Sequence, residues 1–242
     1  MKRDIPFKFN QSSGLSQWRA ETFWEKEPET ILWTESFRSV SAQNLDFIDV
    51  GANLGIYSLF ALTTGIYKRV VAVEPMPLNF EALEQNVILN SFSENVILYN
   101  QPLYSHSIEA AFNFEDSRVG ASGGQVVEKR ITSDSQEGVL VQCLTGDIII
   151  QNNSVKKCVI KIDVDGLELK ILQGFKQSLS SDVICGLLVE ATTQNIEEIN
   201  DFMNQYGYSL DTQFDLLENH STKRRSLSGS NERNLIFSKT TN

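Results

Sequence analysis

The chain has 242 residues, 41% of them hydrophobic, and a formal net charge of −10. That length suits one large α/β unit with an appendage better than two full domains, and no apolar run approaches the roughly 18 to 20 residues that cross a bilayer. The acidic balance argues against nucleic acid as a partner, because phosphate binding needs a clustered positive field.

The opening MKRDIPFKFN lacks the apolar stretch of a secretory signal, so a cytoplasmic location is expected. Residues 1–44 are polar and aromatic, with tryptophans at 18, 24 and 33, and are expected to form an N-terminal cap over a main unit spanning 45–242. Within them EKEPETILWTESF reads as a helix start. Pro28 fits the first turn, Glu27 and Glu29 suit the positive end of the dipole, and Trp33 and Phe37 share a face.

After this segment, short apolar runs alternate with amphipathic stretches, as in a parallel sheet with crossover helices. LDFIDV is the first strand, followed by a helix from about Ile56 to Thr64. RVVAVE is the second, with a helix over Leu78 to Leu89 that places Phe80, Leu83 and Val87 on one side. NVILYN is the third. From about 103 to 146 the alternation lapses, and two strand-like flanks around SRVGASGG predict an inserted β-hairpin. CVIKIDV and VICGLLVE restore buried strands, separated by a helix starting near Leu167. A last helix covers about Asn195 to Tyr206, and YGYSLD and NLIFSK are expected to pair antiparallel across a long connection. Cys143, Cys158 and Cys185 are widely spaced in apolar runs and read as buried free thiols.

The chemistry concentrates in FIDVGANLGIYSL, Phe47 to Leu59. In open α/β sheets the first strand-to-helix turn touches the ligand, and glycines there admit a close backbone approach. The spacing Asp-x-Gly-x-Asn-x-Gly is not the Gly-x-Gly-x-x-Gly of dinucleotide enzymes, and Asp49 would repel a pyrophosphate. A cationic ligand would be attracted. S-adenosylmethionine carries an ammonium and a sulfonium, and Asp49, directly or through water, suits that positive end. Glu74 ends the second strand 19 residues after Gly55, close to the interval at which an acid reaches ribose hydroxyls.

FIDVGANLGIYSL, VVAVEPMPLNFEALEQNVILN and VIKIDVDGLELKILQGF together resemble the successive motifs of the FkbM family of S-adenosylmethionine-dependent methyltransferases, and EKEPETILWTESF resembles a leader found before the first motif in some members. The resemblance implies a class I, Rossmann-like methyltransferase fold: a seven-stranded, mostly parallel sheet with helices on both faces and an antiparallel last strand. It also implies O-methylation of a hydroxyl, commonly on sugars or secondary metabolites, with S-adenosylhomocysteine as the spent cofactor. Carried over, it assigns Asp49, Gly51, Asn53 and Gly55 to the methionine portion, Glu74 to the ribose, and Tyr57 and Ser58 to the same pocket. Two positions depart from the family pattern. Asp165 stands where Glu is usual, and Pro102-Leu103 replaces an Ala-Leu pair, which leaves adenine contacts to Gln101.

Methyl transfer from a sulfonium is an in-line displacement, and a hydroxyl acceptor must also lose a proton. Asp163, at the end of the fourth sheet strand, is the first choice for a base, an orienting group or a ligand to a divalent ion, and Asp165 and Glu190 stand beside it as catalytic candidates. Glu168 shares the same helix start. His106, Arg118, His220 and the Lys223-Arg224-Arg225 cluster are weaker candidates, each also readable as a solvated loop residue. Two rival readings stay open: an NAD-dependent oxidoreductase, against which Asp49 counts, and a binding module that keeps the fold without turnover. The sequence leaves the acceptor, the metal requirement and the oligomeric state open.

Overall fold

The computed structural model describes residues 4–39, 44–128, 139–214 and 232–240. Seven strands form one sheet: β1 (Asp46–Val50), β2 (Arg69–Val73), β3 (Val96–Tyr99), β7 (Cys158–Ile162), β8 (Ile184–Thr192), β9 (Tyr208–Leu210) and β10 (Glu232–Lys239). Their order is β3-β2-β1-β7-β8-β10-β9. Strand order reverses between β1 and β7, which are parallel neighbours, and that reversal opens a crevice at their carboxyl ends. Only β10 runs against its neighbours, pairing antiparallel with both β8 and β9. The expected pairing of the two terminal runs is thus observed.

Side chains of a strand alternate between faces, and the two cores follow that alternation. Phe47, Val159 and Leu188 join one cluster with Phe23, Trp33, Leu59 and Leu83. These come from α1 (Gly14–Lys26), α2 (Pro28–Ser36), α3 (Ile56–Thr63) and α4 (Pro77–Leu89). Ile48, Ile160 and Val189 join the other, with Ile149, Leu172 and Met203. Those belong to α5 (Gly146–Asn152), α6 (Glu168–Gln173) and α8 (Ile196–Gln205), and Leu179 of α7 (Lys176–Leu179) joins them. Both faces of the sheet are therefore covered, which is why its central strands read as unbroken apolar runs.

Several expectations are refined. The insertion is a three-stranded antiparallel sheet, β4 (Ile108–Asn113) between β5 (Gln125–Val127) and β6 (Val139–Cys143), where a hairpin is expected from sequence. The helix near Leu167 is two pieces, because Gly174 lies so close to the Tyr104 carbonyl, 2.3 Å from where a Cβ would stand, that the chain turns there. Helix α5 falls in a stretch with no clear helical signal. On α4, Leu83 and Val87 are buried but Phe80 is only partly so; Asn79 and Asn86 take the inner positions instead. Cys143 and Cys158 are buried free thiols and Cys185 is half-buried. No described helix is long and apolar enough to cross a membrane. His220 and residues 223–225 lie outside the described residues.

Candidate functional site

An open cleft with about 700 Å³ of space lies at the carboxyl ends of β1, β2, β7 and β8. Gly51 and Asn53 form its floor; Glu74 and Met76 stand at one end, and Asp163, Asp165 and Glu190 at the other. The segment 121–124, at the end of the glycine-rich tip, walls it.

The turn after β1 takes left-handed backbone at three alternate residues, Gly51 (φ 80), Asn53 (φ 51) and Gly55 (φ 84). The glycines are needed for internal packing, which differs from the close ligand approach expected of them. A Cβ on Gly51 would stand 1.9 Å from the Asp163 carbonyl oxygen, and one on Gly55 would meet Leu83 at 2.3 Å. Gly51 thus lets the ends of β1 and β7 come together, while Gly55 seats α3 against α4.

Glu74 is 4% exposed and accepts backbone N–H groups of Asn53 at 2.7 Å and Met76 at 2.8 Å, one on each oxygen. Burial nevertheless pushes its carboxyl up to about 7. Asn53 completes the link, donating its side-chain amide to the Ala121 carbonyl at 2.8 Å. Asn79 donates to the same carbonyl at 2.9 Å and accepts Gly120 N–H at 2.7 Å, and Arg19 donates to the Gly120 carbonyl at 2.9 Å. Asp165, itself left-handed at φ 56, accepts Gly123 N–H at 2.8 Å. Its nearest evident task is therefore to hold the wall segment. Glu168 is buried and accepts the Gly166 N–H and the Asn195 side chain.

Three expected pocket residues sit below the cleft. Asp49 is 1% exposed; its Oδ2 accepts the Ser58 hydroxyl at 2.6 Å, and its Oδ1 is buried with no donor among the described residues. Burial raises its carboxyl, partly offset by Lys161 and Ser58. Ser58 is fully buried against it, and Tyr57 turns away to donate its hydroxyl to Glu27 at 2.8 Å. Both occupy the first turn of α3, which packs down on the sheet. Gln101, just past β3, is half-buried and is not among the residues lining the cleft. His106 lies exposed beside Ser105, and Arg118 is paired with Asp116, so neither faces the cleft.

A buried charge cluster missed by the sequence reading lies under the acid end. Lys161, on β7, is 1% exposed and donates to Asp163 Oδ2 at 2.6 Å. It is the cross-strand partner of Asp49 and sits 4.9 Å from the centre of the Tyr57 ring. Lys26 and Glu27, at the end of α1, form an ion pair at 2.5 Å, and Lys26 also lines the cleft. Burial alone would raise Asp163, but Lys161, a hydrogen bond from Glu190 and Lys26 outweigh it and hold the carboxyl well below its ordinary value. Glu190 is pushed well above its ordinary value by burial, by the Asp163 charge and by their shared hydrogen bond. The surroundings therefore favour the ionised form of Asp163 and the neutral form of Glu190. A lysine in the middle of the apolar strand CVIKI was the available signal. Among the described residues no group of three His, Cys, Asp or Glu side chains is arranged to hold a metal ion.

Residues 49–210 match the family model of the Methyltransferase FkbM domain. The chain belongs to that family. A relative, the hexuronic acid methyltransferase AglP of Haloferax volcanii, is 30% identical over 159 residues, which cover 65% of this chain and 54% of the relative. The chain thus spans about half the length of the curated relative it matches. Among solved structures, the METTL16 MTase domain superposes with a TM-score of 0.53 at 13% identity, over 97% of this chain and 86% of that one. Precorrin-6y C5,15-methyltransferase from Geobacter metallireducens superposes with a TM-score of 0.50 at 12% identity, over 98% and 95%. These likenesses show the class I methyltransferase fold. Membership of the FkbM family implies S-adenosylmethionine, and the cleft can be tested against it. The carboxylate of Glu74 lines one end and suits vicinal hydroxyls, and Asp49, buried beneath the turn with an Oδ1 that has no partner among the described residues, sets an acid under the place where an ammonium would lie. The donor set fits.

Proposed function

We propose that the chain is an S-adenosylmethionine-dependent methyltransferase acting on a hydroxyl of a saccharide or glycan precursor. One observation carries the reading: a single cleft has a buried acid, Glu74, at one end and two further acids, Asp163 and Glu190, at the other, on either side of the Gly51 turn. When bound, the cofactor supplies a methyl group already attached to its leaving group. The protein's task is then alignment, for which a rigid turn braced by Asp163's own backbone is suited. Glu74 would accept the ribose hydroxyls, and the turn 51–55, supported by Asp49, would seat the amino-acid end. The acceptor hydroxyl must shed its proton as its oxygen takes the methyl group. Asp163, in the lining, would accept that hydrogen bond, aim the oxygen and take the proton as the methyl group leaves sulfur, passing it on to water.

A second acceptor has its own observation. Arg19 and Lys26 line the same cleft and would neutralise an anion, so the carboxylate of a hexuronic acid, the group named for the Haloferax relative, also fits. A carboxylate needs no base, and its methylation gives an ester in place of an ether.

Calorimetry with S-adenosylmethionine is expected to show binding that weakens at least tenfold in Glu74→Ala, in line with about 1.5–3 kcal/mol for a lost charge-assisted hydrogen bond. A methyl-transfer screen over neutral sugars and hexuronates then separates the acceptors, since only an ester product releases methanol in mild alkali. Binding of NAD and not of S-adenosylmethionine would overturn the cofactor, and binding without turnover across the screen would favour a non-catalytic module.

A further inference from the structure

S-adenosylmethionine carries an ammonium, a sulfonium and a carboxylate. An acid-lined cleft suits the first two and repels the third. Among the described residues five acids line the cleft, Glu74, Asp163, Asp165, Glu190 and Glu232, against two cations, Arg19 and Lys26. A carboxylate entering that space needs one of those cations beside it.

The two cations are not equivalent. Lys26 is already committed, its ammonium 2.5 Å from Glu27, and it stands at the acid end, where its charge acts on Asp163 and Glu190. Arg19 lines the cleft without an ion pair among the described residues. Its Nε and Nη2 both donate to the Gly120 carbonyl, at 3.3 and 2.9 Å, which leaves three of its five N–H groups unused by those residues. One turn earlier on α1, Leu15 packs so closely on the wall that a Cβ on Gly120 would stand 3.0 Å from its own. Helix and wall are therefore fixed against each other, and the guanidinium is oriented by that contact. Its charge reaches Glu74 and Asp165, which stand on either side of the Gly51 turn. Arg19 thus faces the turn across the cleft, with Asp49 buried beneath it.

We propose that Arg19 binds the carboxylate of the cofactor's amino-acid tail, so that the guanidinium above the turn and Asp49 below it read the two charges of one zwitterion. A guanidinium presents parallel N–H groups that match both oxygens of a carboxylate, and its grip on Gly120 lowers the cost of ordering it. Arg19 lies outside residues 49–210 of the family match, so the contact belongs to the N-terminal segment of this chain. With Arg19 so used, an acceptor carboxylate would meet Lys26 alone, which Glu27 already neutralises, and a neutral hydroxyl acceptor is favoured over a hexuronate. This contact rests on the cofactor reading and on a tail lying over the turn 51–55.

The experiment is calorimetry on the full chain with two ligands, S-adenosylhomocysteine and its decarboxylated analogue, which keeps adenine, ribose, sulfur and ammonium and lacks only the carboxylate. Both are measured at about pH 8.5, above the raised Glu74 carboxyl, so that removing the Arg19 charge does not act by protonating that acid. Arg19→Met is expected to weaken S-adenosylhomocysteine at least tenfold and to leave the analogue within about twofold of wild type, or tighter, since the same charge repels its ammonium. Equal weakening of both ligands overturns the proposal, for Arg19 then acts through Gly120 and the wall. So does unchanged affinity for S-adenosylhomocysteine in a variant whose circular dichroism matches wild type. Wild type decides even if the variant does not fold: it is expected to bind S-adenosylhomocysteine at least tenfold more tightly than the analogue, and equal affinity overturns the assignment. Binding of neither ligand to wild type would remove the cofactor reading too, which the other outcomes leave intact.

Discussion

At the scale of single residues, Glu74 offers the clearest titration. Its carboxyl, raised by burial to about 7, is largely protonated in the free protein just below neutral pH, although two backbone N–H groups favour the ionised form. Bound ribose hydroxyls and a nearby cationic ligand favour the carboxylate further, so binding lowers its value and expels a proton. Cofactor affinity should therefore rise between about pH 6 and 8 and then level off. Calorimetry in buffers of different ionisation enthalpy should register proton release near pH 6.5, and Glu74→Gln should release none; uptake of a proton, or release in the variant, would exclude this account. The same shift sets a stability trend. A folded value raised from 4.5 to about 7 means the native state holds a proton that the unfolded chain has already lost. Its contribution is present below about pH 4.5 and fades as pH rises to 7, by at most about 3 kcal/mol. Glu74, Asp163 and Glu190 were legible in the sequence because an acid closing an apolar strand is conspicuous. Lys161 and Asn79 were not, for a polar residue inside a strand or on the inner face of a helix carries no sign of its partner, which is set by neighbouring strands and loops.

Among elements, the wall of the cleft is the least expected. Its segment 119–124 has little core of its own and is fixed by polar ties from α1, α4 and the loop after β7. Ser13 donates to the Val119 carbonyl at 2.9 Å, Arg19 grips the Gly120 carbonyl, and Asn79 satisfies both Gly120 N–H and Ala121 C=O. Asn79 is 1% exposed, so truncating it strands the Gly120 N–H, at about 1–3 kcal/mol, and leaves the Ala121 carbonyl to Asn53 alone. Asn79→Ala should speed amide hydrogen exchange selectively in 119–124 and weaken cofactor binding, with exchange in β1 and β7 unchanged. Protection of 119–124 equal to wild type would show that the wall is held by other means. Turn chemistry made the glycine-rich tip readable. The third strand of the small sheet was harder to see, because β6, with Val139 and Leu140 about half exposed, lacks the buried alternation that marks a strand.

For the whole molecule, the strands of the main sheet and the helices between them, α5 apart, followed from periodicity, and the family match over 49–210 covers most of the sheet. The folding unit is larger than that match. Phe7, Phe9 and Phe23 stack edge-on in sequence, Phe23 continues to Phe60, and Trp33 lies 6.2 Å from Phe47. These rings cover the face of β1 and α3 that would otherwise expose Phe47, Leu59 and Leu188, all now fully buried. Burying one such side chain contributes about 1.5–3 kcal/mol, so losing the whole layer is comparable with the 5–15 kcal/mol by which domains are stable. The N-terminal segment also carries Lys26 and Glu27 into the charge cluster, so it is part of the site as well as of the core. A chain beginning at residue 44 is therefore expected to lose its cooperative melt and to bind neither S-adenosylmethionine nor its product. Should that truncated chain melt cooperatively and bind the cofactor with undiminished affinity, the N-terminal helices would be an accessory to a self-sufficient sheet, and the electrostatics assigned to Lys26 and Glu27 would have to be carried by β7 and β8 alone.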